Sequence, residues 1–395
     1  MKKSVLFAVA ILFSALAFSQ PNNVLNAYNE LKAGRLDKAL NYIELAKVHV
    51  KTMGEPKTWL YRGNIYLSIA ATEETKYKAL CADPLDSAYN SYQKSIAIDK
   101  EFIAPAANPA SAKQGLMLLG NLYYNKGVEF YNIKDYTNSK RYFERTKSIK
   151  NTFGEKDSLS TFHATRCALN LGDKETAMKY LKELITMDYQ NPDVYSMLGV
   201  LYQEAGDTVK SINTIKSGRK RFPNDLGLVK AEANYYMAKG DYATAISMIS
   251  GAATGSDPKV YFTVGVVFDE FLKDSTLTTA IKDSMMLESE KAYKKTIELD
   301  PKFFDAYYNL GALFFNRGVE YFNYAQDNVL SDKEYRDVEA KFKSYWNQSL
   351  PYLEKAIEII PDDMPTLQTL KILYARLTMP EKLQTVTDKI NSLKK

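Results

Sequence analysis

One pattern of four residues recurs along the chain and constrains its fold more than any other feature. A large apolar or aromatic residue is followed three positions later by an apolar one, then at once by a small one, and three further on by an aromatic. These spacings place all four side chains on one face of an α-helix. Clear copies begin at Leu116, Tyr195, Tyr261 and Tyr307. A fifth copy, which begins at Trp59, carries Arg62 at the apolar step.

A second helical pattern follows the first. It has a small residue, a large apolar one four positions later and a small or apolar one three beyond that, again on one face. Its copies begin at Ala39, Ala177, Ser211, Ala245 and Ser349. We expect these second helices to end before prolines such as Pro223, Pro301 and Pro361, because proline lacks the amide hydrogen that continues a helix.

The patterns keep a common period in the middle of the chain, where Thr165, Gly199 and Ala233 are 34 residues apart. This arrangement resembles the tetratricopeptide repeat family, whose unit is a helix-turn-helix of about 34 residues. The resemblance implies an all-α, right-handed α-solenoid of about nine such repeats over residues 20–395. In it, small residues let paired helices approach and aromatic residues fill the holes between pairs. An irregular helical bundle is the alternative.

Length and composition agree with a repeat array. At 395 residues the chain exceeds what one ordinary globular core supports, and 18 glycines with 13 prolines are few for the turns of an all-β fold.

Four units carry extra residues between their two helices, near 68–87, 127–136, 269–288 and 317–346. Two of these regions share a string, since residues 125–132 read NKGVEFYN and residues 316–323 read NRGVEYFN. Inserts in repeat arrays lie on one face and often belong to the binding surface. The alternative is a longer helix hairpin that only adds stability.

The N-terminus predicts export. Lys2 and Lys3 precede an apolar run from Val5 to Phe18, and small residues stand at Ala17 and Ser19. This is typical of a secretory signal peptide over residues 1–19. The run is shorter than the about 20 residues of a membrane span, which disfavours a retained anchor. Because no cysteine follows the cleavage site, we expect a periplasmic or extracellular protein without a lipid anchor.

Charge argues against a nucleic-acid partner. Lysine and arginine number 52 against 47 acidic residues, a net charge of +5, and no basic cluster is visible. Nucleic-acid binding domains are usually strongly basic with clustered lysine and arginine.

Residues suited to catalysis or metal binding are sparse. His163 and Cys167 lie four apart on one helix face, the spacing of a metal half-site or an activated thiolate. The other histidine and cysteine, His49 and Cys81, lie in the first two units. A buried thiol beside a partly exposed imidazole is therefore the favoured interpretation. We predict no enzyme activity, no cofactor and no metal, and we expect both thiols to stay free because two repeat units separate them.

Tetratricopeptide arrays present the first helix of each pair to a concave groove. The resemblance places the residue after each small site there, namely Asn64, Asn121, Arg166, Val200, Asn234, Val266 and Ala312. Residues three before the small site form a second row, namely Leu60, Met117, Phe162, Ser196, Lys230, Phe262 and Tyr308. The candidate binding residues are Asn64, Asn121, Tyr124, Asn125, Arg166, Lys230, Asn234, Phe262 and Tyr308.

Asparagine both donates and accepts hydrogen bonds, which suits an extended peptide backbone or sugar hydroxyls. Alternatively, these side chains merely fill or solvate the inner curve. Some family members clamp a C-terminal carboxylate, but Leu60 stands where their first clamp lysine would be, so that activity is not implied. The predicted function is a non-enzymatic protein-binding scaffold or adaptor in the cell envelope or outside the cell. The alternative is a glycan- or nutrient-binding envelope protein, suggested by tyrosine and asparagine in the groove and by the long inserts.

Overall fold

A computed structural model describes residues 22–394, and all the regular structure in that range is helical. The predicted signal peptide, residues 1–19, lies outside the described residues. Residues 22–394 contain nineteen helices, of which eighteen form nine consecutive pairs and one is a single turn inside the second pair. The chain divides into two compact units at Gln190 and Asn191. The predicted fold class, an all-α array of about nine helix pairs, is confirmed.

The first unit contains four pairs over residues 22–190. Its helices are α1 (Asn23–Lys32), α2 (Leu36–Ala46), α3 (Pro56–Ala71), the single turn α4 (Thr75–Lys78), α5 (Pro84–Ile98), α6 (Ala112–Asn132), α7 (Tyr136–Thr152), α8 (Ser158–Asn170) and α9 (Lys174–Thr186). The second pair is α3 with α5.

The second unit contains five pairs over residues 191–394. Its helices are α10 (Asp193–Glu204), α11 (Thr208–Arg221), α12 (Leu226–Ala238), α13 (Tyr242–Gly251), α14 (Pro258–Leu272), α15 (Thr279–Leu299), α16 (Phe304–Asp327), α17 (Asp332–Ile359), α18 (Met364–Arg376) and α19 (Pro380–Leu393). As predicted, α11, α15 and α17 each end two residues before a proline.

A glycine followed by an aspartate makes the turn between the helices of three pairs. Gly172, Gly206 and Gly240 have φ of 73°, 78° and 75°, a left-handed conformation that glycine adopts without steric penalty. The aspartate after each one accepts a hydrogen bond from the backbone N–H three residues later and so begins the second helix. Lys134 and Asp135 make the same turn between α6 and α7.

The small residues of the first helices are sites of close approach. A β-carbon added at Gly199 would lie 2.7 Å from Ile215 of the paired helix. One added at Gly63 would lie 2.4 Å from the ring of Tyr92, and one at Gly115 would lie 2.3 Å from the same ring. Tyr92 on α5 is thus wedged between α3 and α6. The predicted roles of small and aromatic residues in packing are confirmed in these pairs.

The string shared by residues 125–132 and 316–323 lies on the first helix of a pair in both units, on α6 and on α16, and makes similar packing contacts. Its glycines, Gly127 and Gly318, face Phe143 and Trp346 across the paired helix. Its first aromatic residue stacks on a tyrosine of that helix, with ring centroids 5.4 Å apart at Phe130 and 5.7 Å apart at Tyr321. The glycine and the aromatic ring of this string therefore have packing roles.

Candidate binding clefts

A cleft of about 440 Å³ lies in the second unit among α14, α15 and α16. We call it the α14–α16 cleft. It is lined by Val266, Asp269, Glu270, Leu272, Lys273, Lys282, Met286, Asn309, Ala312, Leu313, Asn316, Arg317 and Glu320. Most of these residues come from the segments 269–288 and 317–346, and Val266 and Ala312 belong to the row predicted to face a groove.

Arg317 is the most deeply buried cation of this cleft, with its side chain 9% exposed. Its terminal nitrogens donate to the carboxylates of Asp283 and Glu320. Its Nε has no hydrogen-bond partner in the described part of the chain. Because Asp283 lies on α15 and Arg317 on α16, this ion pair holds the two helices together. The Nε–H of Arg317 stays unused within the described residues.

Asp269 joins the three helices through hydrogen bonds. Its Oδ1 accepts from the Ser289 hydroxyl at 2.7 Å and its Oδ2 accepts from the Tyr293 hydroxyl at 2.5 Å. The Tyr293 oxygen in turn accepts from Asn309 Nδ2 of α16 at 3.3 Å. Burial raises the pKa of Asp269 to about 6, although the two hydroxyl donors and Lys273 favour the ionised form.

The lining combines apolar and polar side chains. Val266, Leu272, Met286 and Leu313 provide apolar surface. Asn309 and Asn316 offer both donors and acceptors. Among the described residues that line the cleft, none is aromatic. This arrangement suits the binding of a chain that alternates apolar and polar groups.

A second cleft, of about 550 Å³, lies in the first unit. We call it the α6–α7 cleft, because Met117, Leu118 and Asn121 of α6 and Ile149 of α7 line it. Met117 and Leu118 are 46% and 47% exposed. The cleft therefore presents accessible apolar surface beside the exposed Asn121 amide.

The placement predicted for Asn64 is wrong. Its side chain is buried, at 1% exposure, and both ends of the amide are engaged. Asn64 Nδ2 donates to the carbonyl oxygen of Pro109 at 3.0 Å, and its Oδ1 accepts from the Tyr92 hydroxyl at 3.0 Å. The segment before α6 covers this part of α3, so Asn64 stabilises the packing and cannot reach a ligand.

The other candidates of the first unit are accessible to different extents. Asn121, Asn125 and Arg166 are exposed, and the Arg166 guanidinium lies 5.2 Å from the ring centroid of Tyr131. Tyr124 is partly buried, and its hydroxyl hydrogen-bonds to His163 Nε2 at 3.1 Å. Asn121 lines the α6–α7 cleft; Tyr124, Asn125 and Arg166 do not.

The candidates of the second unit do not line the α14–α16 cleft. Lys230 on α12 is paired with Glu270. Asn234 is exposed on the same helix. Phe262 is partly buried, with its ring centroid 5.0 Å from that of Phe303, and Tyr308 is partly buried and stacks on Phe304 at 6.2 Å. The two aromatic residues therefore contribute mainly to packing.

The row that includes Leu60 and Phe162 is not uniformly accessible, since these two side chains are 0% and 9% exposed.

Cys167 is fully buried, and its thiol donates to the Ser139 hydroxyl at 3.2 Å. Burial raises the pKa of this thiol and lowers the pKa of His163. The thiol is therefore not activated by the imidazole four residues before it.

Sequence reasoning missed the polar residues Asp269, Lys282, Asn309, Asn316 and Arg317 as cleft residues. They lie in the inserts or off the two rows that repeat spacing defines. The string that contains Asn316 and Arg317 was a signal for this region, because it is repeated in a second insert.

Three segments of the chain match models of a known repeat. Residues 120–152 and 166–191 match the model described as tetratricopeptide repeat, and residues 288–318 match one described as TPR repeat. The chain contains tetratricopeptide repeats. Proteins built from tetratricopeptide repeats generally serve as scaffolds for protein interaction, and the repeat is typically not catalytic. No curated protein sequence matches the chain.

Several solved tetratricopeptide repeat structures are similar to this chain. The C-terminal part of a TPR repeat-containing protein from Cytophaga hutchinsonii is 14% identical, covers 68% of this chain and 95% of its own, and has a TM-score of 0.43. A TPR repeats protein from Bacteroides fragilis is 20% identical, with coverages of 65% and 98% and a TM-score of 0.28. A TPR protein from Thermus thermophilus is 17% identical, with coverages of 49% and 98% and a TM-score of 0.33.

Proposed function

We propose that this protein is a non-enzymatic scaffold that binds an extended segment of a partner protein in the α14–α16 cleft. The observation that carries the proposal is the origin of the cleft residues. The inserts, which the helix-turn-helix repeat itself does not need, supply most of the lining, including Asp269, Lys282 and Arg317. Segments added to a repeat array and gathered around one cleft are expected to serve binding.

The lining favours a peptide over a glycan. Sugar rings usually stack on aromatic side chains, and the described residues of this cleft include none. An extended peptide has alternating side chains and backbone amides, which match the mixed apolar and polar lining of the cleft. The α6–α7 cleft, with Met117 and Leu118 exposed, is a second surface of the same kind in the other unit.

Site-specific photocrosslinking tests the proposal. A benzophenone amino acid placed at Asn316, which is exposed and lines the cleft, is expected to capture a small set of proteins in the producing cells. The matched control is the same group at Asn347, an exposed residue of α17 that lies outside the cleft. Equal capture at both positions, or capture of carbohydrate at Asn316, would contradict the proposed function.

We further propose that the protein is exported and acts in the periplasm or outside the cell. This rests on residues 1–19, where two lysines, an apolar run and small residues at Ala17 and Ser19 resemble a signal peptide. Among residues 22–394, no helix has both the length and the apolar character to cross a membrane. We expect the intact mass of the mature protein to correspond to a chain that begins at Gln20. A mature mass that includes residues 1–19 would overturn export.

A further inference from the structure

In three helix pairs of the second unit, a serine of the second helix faces the carbonyl oxygen of a glycine on the first helix. The hydrogen bond of this serine differs in one of the three pairs. The hydroxyls of Ser211 and Ser349 donate to the carbonyl oxygens of Gly199 and Gly311, each at 2.7 Å. In the α14–α15 pair the equivalent distance, from Ser289 to the carbonyl oxygen of Gly265, is 3.2 Å. The Ser289 hydroxyl lies closer to Asp269 Oδ1, at 2.7 Å. A hydroxyl has one proton, so Ser289 donates it to Asp269.

The two cations that α15 and α16 contribute to the cleft lining are already paired. Arg317 of α16 donates to Asp283 and Glu320. Lys282 of α15 lies 4.0 Å from Glu320. Both positive charges that α15 and α16 contribute to the cleft therefore face carboxylates other than Asp269.

The other charged groups considered around Asp269 lie on its own helix, α14, and on α12. Glu270 is paired with Lys230 of α12, and Lys273 is an exposed residue one turn from Asp269. In the part of the chain that the structure describes, no cation lies within ion-pair distance of the Asp269 carboxylate. Asp269 is therefore a cleft carboxylate that is hydrogen-bonded but not ion-paired.

We infer that the α14–α16 cleft takes a lysine or arginine side chain of the bound segment onto Asp269, and that acidification releases it. The inference rests on the proposed function and specifies its ligand. A cation from the partner completes the ion pair that the chain itself does not supply. The apolar lining residues Met286 and Leu313 provide contact surface for the methylene stem of such a side chain.

The serine contact explains how Asp269 changes charge without loss of the fold. When Asp269 is protonated, its hydroxyl donates to Ser289, and the Ser289 proton turns to the carbonyl oxygen of Gly265. That second arrangement is the one observed at Ser211 and Ser349. Every group keeps a partner in both states, so protonation removes the charge from the cleft and preserves the hydrogen bonds.

The affinity for a basic side chain depends on pH because only the ionised form of the Asp269 carboxyl group forms the ion pair. A bound cation stabilises the ionised carboxylate, so the pKa of Asp269 is lower in the complex than its value of about 6 in the free protein. Affinity is therefore greatest above pH 6. It falls by up to about tenfold per pH unit below pH 6, because each binding event must then release a proton.

A peptide array tests the inference with the full-length protein. The probes are immobilised heptapeptides that differ only in their central residue, which is varied over all amino acids. At pH 7.5 the lysine- and arginine-centred peptides are expected to retain at least about fivefold more protein than the glutamine-centred one. At pH 5 this preference is expected to be lost.

Three variants locate the effect. Asp269→Asn removes the charge and is expected to abolish the preference at every pH. It retains both contacts, because its amide oxygen accepts from Tyr293 and its amide nitrogen donates to the Ser289 oxygen, as the protonated carboxyl would. Ser289→Ala removes one donor from the ionised carboxylate and is expected to shift the pH midpoint upwards. Glu298→Gln, at an exposed carboxylate of α15 outside the cleft, is the matched control and should behave as the parent protein.

Retention of peptides without a basic preference, or a basic preference that persists in Asp269→Asn, would overturn the inference alone. Retention of no peptide at all would count against the proposed function as well. Thermal unfolding of Asp269→Asn distinguishes a folded variant that lost the preference from a misfolded one. If Asp269→Asn does not fold, Ser289→Ala provides the test. An upward shift of its pH midpoint supports the inference, and an unchanged midpoint overturns it.

Discussion

The hydroxyl of Tyr92 donates to the side-chain oxygen of Asn64 at 3.0 Å, and the two residues lie on the paired helices α5 and α3. Tyr92 is fully buried and Asn64 is 1% exposed. The amide nitrogen of Asn64 then donates to the carbonyl oxygen of Pro109, ahead of α6. One side chain thus connects two helices and a connecting segment in a region closed to water, so its contribution is to stability.

Replacement of Asn64 by alanine is expected to destabilise the protein. The Tyr92 hydroxyl and the Pro109 carbonyl oxygen would both lose a partner while buried, at about 1 to 3 kcal/mol for each unsatisfied group. Denaturant unfolding of the parent protein and of Asn64→Ala measures the loss. Asn121→Ala, at an exposed position of α6, should change the free energy of unfolding by less than about 0.5 kcal/mol. Equal effects at the two positions would contradict the structural assignment.

Gly199→Leu is expected to disrupt the α10–α11 pair. A β-carbon at this position would lie 2.7 Å from Ile215, so a leucine forces the helices apart at a cost of about 1 to 3 kcal/mol or more. Gly251, at the end of α13, has no atom within 4 Å of an added β-carbon. Gly251→Ala should leave the melting temperature unchanged or slightly raised. A well-tolerated leucine at Gly199 would mean that the helices are not in close contact there.

Asp269 makes stability depend on pH in the direction opposite to that of an ion-paired carboxylate. Its pKa in the folded protein, about 6, is above the ordinary value of 3.8, so the folded state binds more protons between these pH values. Stability from this group is present below pH 4 and is lost as pH rises through 6. The loss corresponds to about 3 kcal/mol.

Comparison with Asp269→Asn isolates this contribution, because other carboxylates titrate equally in both proteins. The free energy of unfolding of the variant minus that of the parent is expected to increase between pH 4 and pH 7. Urea unfolding at several pH values measures the difference. A difference that stays constant with pH would show that the Asp269 carboxyl ionises normally.

The two cysteines are expected to differ in reactivity. Cys167 is buried, its thiol donates to Ser139, and burial raises the thiol pKa. Cys81 is partly exposed. Alkylation of the native protein should therefore modify Cys81 first, and both thiols should react after unfolding. Peptide mapping by mass spectrometry without reduction checks this, and a peptide that contains both cysteines in a disulfide would contradict it.

The sequence by itself determined the architecture. Gly199 and Ser211, and likewise Gly311 and Ser349, occupy the small positions of the two repeating patterns, and each such pair lies in contact across two helices. Prolines mark the ends of second helices, and Gly-Asp pairs mark turns. These features are readable because each depends on local backbone geometry and on the helical period, both of which act within a few tens of residues.

Only the tertiary structure decided which polar side chains remain accessible. By repeat position Asn64 and Asn121 are equivalent, yet the segment that carries Pro109 covers Asn64 and leaves Asn121 exposed. The path of that segment follows no period, so the sequence pattern could not predict it. The properties of Asp269 likewise depend on the tertiary structure. Its raised pKa arises from burial and from the distances to Ser289 and Tyr293, which exist only after three helices have packed together.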